Sequence, residues 1–111
     1  MRILIVEDAV LLREGLVRLL EHFGHTVTAA LSDTSELGIA LTDDLPDLVI
    51  LDVRLPPTFT DEGIRAALQI RQEHPELPIL VLSQYVEERY AAELIASHTG
   101  SLGYLLKDRV A

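Results

Sequence analysis

The chain has 111 residues, 49% of them hydrophobic, no cysteine and a formal charge of −9. That length suits one domain with a two- or three-layer core and leaves no room for a second of ordinary size. The composition excludes a disordered tail, disulfides, thiolate chemistry and Cys-ligated metals. Nine basic residues against eighteen acidic ones argue against direct nucleic-acid binding, which needs a Lys/Arg surface. No apolar run approaches the length of a membrane span, and Met1-Arg2-Ile3 begins a strand-like segment and no signal peptide. A soluble, cytoplasmic protein is expected. The four histidines, His22, His25, His74 and His98, lack metal-ligand spacing and read as surface or turn residues.

In chain order, the first predicted strand is Ile3-Leu4-Ile5-Val6. Leu12, Leu16, Leu19 and Phe23 then fall at helical spacing, with Gly24 as the C-cap. His25 to Ala30 alternates and is rich in β-branched residues, which predicts an edge strand. Asp33 with Glu36 has the form of a capping box before a helix that buries Leu37, Ala40 and Leu41. Leu48-Val49-Ile50-Leu51 is solidly apolar and runs into Asp52, so it reads as a strand buried on both faces. Asp61 opens a third helix with Ile64, Ala67 and Leu68 inward, closed before Pro75 and Pro78. Ile79 to Leu82 is another buried strand, and after Ser83 a fourth helix places Val86, Tyr90 and Leu94 on one face. Leu102 to Leu106 is a mixed run, again at an edge.

This strict alternation predicts right-handed βαβ crossovers around a parallel sheet. With the apolar runs inside and the mixed runs outside, the expected class is α/β, a flavodoxin-like three-layer sandwich of five parallel strands in the order 2-1-3-4-5. Residues 1–111 are expected to form one domain; the chain stops after the fifth strand with no final helix beside the first, and truncation is the preferred explanation over a disordered tail or a second chain covering that face.

Parallel strands carry their carboxyl ends to one rim. There the sequence places Glu7 and Asp8, then Asp52, Ser83 and Lys107. Each has a plainer explanation: Glu7 and Asp8 as caps of the first helix, Ser83 as an N-cap, Lys107 as a solvated charge. Asp52 is harder to explain by stability, since a carboxylate closing an apolar strand has little to gain there. Three crowded carboxylates repel one another unless a cation neutralises them, and Mg²⁺ suits such a site. An in-line carboxylate nucleophile, a metal and donors for phosphoryl oxygens are the needs of phosphoryl transfer.

Glu7-Asp8, Asp52 with Pro56 four residues on, Ser83 and Gly103-Tyr104-Leu105-Leu106-Lys107 together resemble the receiver domain of a bacterial two-component response regulator. The likeness runs from Ile3 to Lys107, and the detail around Asp52 to Pro57 and Gly103 to Asp108 is similar to the NarL/FixJ-like, DNA-binding branch. The resemblance implies that Asp52 is the phosphoacceptor, served by a sensor histidine kinase. It implies a Mg²⁺ site from Glu7, Asp8, Asp52 and the backbone carbonyl of Arg54. Ser83 and Lys107 would bind the phosphoryl group, and Tyr104, otherwise a half-exposed edge-strand tyrosine, would act with Ser83 as the switch. Output would be dimerisation, as a homodimer, or release of an effector domain that this chain lacks and that alone would touch DNA. Such a protein is no turnover enzyme and carries out at most slow self-catalysed phosphoryl transfer and dephosphorylation. Before Gly63, the segment Pro57 to Glu62 is longer than the commonest family form. The rival readings are a Mg²⁺-dependent phosphohydrolase, for which Arg54 stands where a second acid is needed, and a pseudo-receiver that only binds a partner.

Overall fold

The computed structural model describes residues 1–53, 55, 62–83 and 102–106, with Ser83 and residues 102–106 described in backbone only. Its elements are β1 (Arg2–Val6), α1 (Val10–His22), β2 (Thr26–Leu31), α2 (Leu37–Asp43), β3 (Leu48–Asp52), α3 (Glu62–Glu73), β4 (Ile79–Ser83) and β5 (Leu102–Leu106). Every strand pairing is parallel, and the order is β2-β1-β3-β4-β5. The flavodoxin-like order and the edge positions of the two mixed strands are therefore as expected. The predicted fourth helix, Asp61 as the opening of α3, and the segment from Pro57 to Glu62 apart from Glu62 itself lie outside the described residues.

The apolar runs form strands because β-branched and leucine side chains pack on both faces of a covered sheet. Alternate residues divide between two cores. Leu4, Val6, Val49, Leu51, Ile79 and Val81 meet Leu37 and Leu41 of α2 and Ile64, Ala67 and Ile70 of α3 on one side. Ile3, Ile5, Ile50 and Leu82 meet Leu16 of α1 on the other. Those two cores are the three-layer arrangement.

Two details correct the sequence-based expectations. Leu19 and Phe23 are 49% and 69% exposed, and Leu12, Leu16 and Leu20 supply the inward row of α1. The row continues i to i+4 from Leu16 to Leu20, and the helix ends at His22, so Phe23 belongs to the cap. The predicted capping box does not form. α2 begins only at Leu37, after Glu36 as an N-cap without a side-chain hydrogen bond, and the Asp33 carboxylate instead accepts from the Ser35 amide at 2.9 Å and the Ser35 hydroxyl at 2.6 Å. Those bonds make an Asx turn and hold the Asp33 carboxyl below its ordinary value, the side-chain bond contributing most. Ile64 and Ala67 are buried and Leu68, half-buried, packs against the same core, as expected, beside buried Ala66, Ile70 and Arg71 of α3.

Gly24 does act at the helix end. Its φ is 87°, the left-handed region that glycine enters without a Cβ clash. The Gly24 amide donates to the Glu21 carbonyl at 3.0 Å and the His25 amide to the Leu20 carbonyl at 3.0 Å. This pairing is a Schellman motif, and it turns the chain into β2.

Candidate functional site

β1 delivers Glu7 and Asp8 to the rim, and β3 delivers Asp52. Val6 is paired with Leu51, so the next residue along each strand, Glu7 and Asp52, stand side by side at the carboxyl end of the sheet. One carboxylate oxygen from each of Glu7, Asp8 and Asp52 lies within 4.8 Å of the others. Glu7 is fully buried, Asp52 is 3% exposed and Asp8 is half-buried. The register extends the rim: Asp52 pairs with Leu82, the residue before Ser83, and Ser83 pairs with Leu106, the residue before Lys107. The Ser83 and Tyr104 side chains, Arg54 and Lys107 lie outside the described residues.

The plainer account of Asp8 as a helix cap does not hold. Ala9 is the N-cap of α1, the cap has no side-chain hydrogen bond, and no acid stands in the first turn. Burying carboxylates together is costly unless positive charge compensates. A set of hard oxygen donors, part buried and part open at a rim, fits a small divalent cation such as Mg²⁺. It offers no nitrogen or sulfur donor that a softer metal prefers.

Two residues shape this site without belonging to the carboxylate set. Gly63, in the first turn of α3, donates its amide to the Val53 carbonyl at 2.8 Å. A methyl group at Gly63 would overlap the Asp52 carbonyl oxygen and stand 2.8 Å from the Val53 Cα. Only glycine allows α3 to lie this close behind the strand that carries Asp52. The Val53 amide in turn donates to the Leu82 carbonyl at 3.0 Å, so Val53, the residue after Asp52, is held through both its amide and its carbonyl. A glycine inside a run of helix formers is a sequence signal for such an approach. Arg13 of α1 is the second: its guanidinium donates to the Glu7 carbonyl at 2.8 Å, a contact that no pattern in one sequence announces.

Residues 3–110 match the response regulator receiver domain family. The chain belongs to that family. The receiver domain is 33% identical over 108 residues to the transcriptional regulatory protein YdfI of Bacillus subtilis, covering 96% of this chain and 48% of that protein. It is 31% identical over 109 residues to the oxygen regulatory protein NreC of Staphylococcus epidermidis, covering 97% and 48%. Among solved structures, a LuxR-family two-component response regulator from Aurantimonas superposes with a TM-score of 0.78 at 30% identity, covering 96% of this chain and 73% of that one. These relatives include NarL/LuxR-family regulators, in keeping with the expected branch. The receiver domain spans about half the length of the curated relatives it matches. It is thus a domain of signalling proteins whose relatives regulate transcription. Among its described residues, no helix is long and apolar enough to cross a membrane.

Proposed function

We propose that Asp52 accepts a phosphoryl group from a phosphohistidine on a sensor histidine kinase, and that this modification switches the output of a cytoplasmic regulator. What carries the reading is the convergence of the Glu7, Asp8 and Asp52 oxygens at the sheet rim, in a chain that matches the receiver family along nearly its whole length.

In the transfer, an Asp52 carboxylate oxygen forms the bond to phosphorus as the phosphorus–nitrogen bond of the donor breaks. The imidazole leaves with the electron pair and takes up a proton from solvent. Glu7, Asp8 and Asp52, with the backbone carbonyl of Arg54 that the family resemblance adds, would hold Mg²⁺. Bound there, the ion supplies positive charge against the developing phosphoryl oxygens. The buried strand fixes Asp52 so that the nucleophile needs no reorganisation to meet its donor. Ser83 donates its hydroxyl to a phosphoryl oxygen and Lys107 pairs with the phosphate. Drawing Ser83 toward the new charge lets Tyr104 turn inward, which carries a local charge event to the face of β5.

The chain in this reading is a stoichiometric switch, with at most slow loss of its own phosphoryl group. Its output is homodimerisation or control of an effector domain, and any DNA contact belongs to sequence outside these 111 residues. The extent of the curated relatives, which are about twice as long, favours that division. The test is incubation with a small phosphodonor and Mg²⁺, followed by intact mass. One phosphoryl group is expected on the native chain and none on Asp52→Asn. Equal labelling of both proteins, or none of the native chain, would rule the assignment out.

A further inference from the structure

β1 ends at Val6 and α1 begins at Val10, so only Glu7, Asp8 and Ala9 join them. This short connection carries two of the three clustered carboxylates, and no side chain caps the helix that follows. Its order must come from elsewhere. The Glu7 amide donates to the Leu31 carbonyl of β2 at 2.9 Å, and the Arg13 amide donates to the Ala9 carbonyl at 2.9 Å. The half-buried Arg13 guanidinium meets the Glu7 carbonyl at 2.8 Å.

That carbonyl belongs to the planar Glu7–Asp8 peptide. Anchoring it restricts Glu7 ψ and Asp8 φ, the two torsions that together set how the two side chains leave the chain. A charge-assisted bond from a guanidinium is shorter and stronger than a neutral one, and the fork of Arg is pre-organised for a fixed direction.

We propose that Arg13 is a positioning residue for the cation site: its bond to the Glu7 carbonyl restricts the torsions on either side of the Glu7–Asp8 peptide and so the separation of the two carboxylates. The proposal rests on the reading of Glu7, Asp8 and Asp52 as the Mg²⁺ site. Charge alone predicts the opposite outcome, which makes the role testable. A permanent positive charge beside an acidic cluster repels Mg²⁺, so deleting it should tighten binding if nothing else changed. Loss of positioning weakens binding.

The experiment is calorimetric titration of Mg²⁺ into the native chain, Arg13→Met, which keeps the apolar stem, and Arg13→Lys, which keeps the charge. The Kd should rise about tenfold in Arg13→Met, the low end of what removal of a group orienting a metal ligand costs, and by less in Arg13→Lys. An unchanged or lower Kd in Arg13→Met overturns the proposal. A second measurement needs no metal. The Asp8 amide, part of the same peptide plane, should shift in the NMR spectra of both metal-free variants, and an unmoved signal also overturns the proposal. If the native chain takes up no Mg²⁺, the cation reading fails by itself, and the Asp8 amide still decides whether Arg13 sets the peptide.

Discussion

Asp52 was legible as a functional residue because its chemistry contradicts its surroundings: a carboxylate that ends an aliphatic strand and is 3% exposed. Glu7 and Asp8 carried a weaker signal, since acids beside a helix start are ordinary. Their significance came from the 4.8 Å convergence with Asp52. Gly63 shows the other limit. Its sequence position suggests a close approach, but only the packing of α3 identifies the Asp52 carbonyl as the atom approached. Gly63→Ala should therefore force α3 off the strand. A loss of about 1–3 kcal/mol is expected from overpacking of this kind, measured by urea denaturation, together with slower phosphoryl uptake. Unchanged stability would mean that the helix moves aside freely.

Elements were the most legible scale. The strands are set by unbroken apolar runs, and the order β2-β1-β3-β4-β5 follows from which runs are apolar on both faces. Where the expectation failed, a local rule yielded to packing or to a competing local bond. Leu19 lies at helical spacing from Leu12 and Leu16, yet the sheet accepts Leu20 instead. Asp33 has the residue partner for a capping box, yet its carboxylate closes a turn with Ser35. The end of α1 provides a clean test of backbone energetics. No atom lies within 4 Å of a Cβ built on Gly24, so Gly24→Ala pays only for its φ of 87°. About 1–2 kcal/mol should be lost, measured by thermal denaturation, with Mg²⁺ affinity unchanged. Gly15, inside α1 and equally uncrowded, should respond in the opposite direction, with Gly15→Ala gaining up to about 1 kcal/mol.

For the whole molecule, a cation that binds only the folded state must stabilise it by mass action. At Mg²⁺ a hundredfold above its Kd, the gain is about 2.7 kcal/mol. The thermal midpoint should climb with added Mg²⁺ and return on chelation. Removing one carboxylate in Asp52→Asn should shrink that climb, and an equal climb in both proteins would place the ion elsewhere.

The sequence alone determined the layered α/β architecture, the strand order and the placement of Glu7, Asp8 and Asp52 at strand ends on one rim. Those follow from periodicity and from the rule that parallel strands share a direction, which are properties of each segment taken singly. The tertiary structure alone decided the meeting of the three carboxylates, the seat of Gly63 behind Asp52 and the grip of Arg13 on the Glu7 carbonyl. Hydrophobic pattern records which face of a segment is buried. It carries no distance between a particular atom on one element and a particular atom on another, because that distance is settled only when the elements pack.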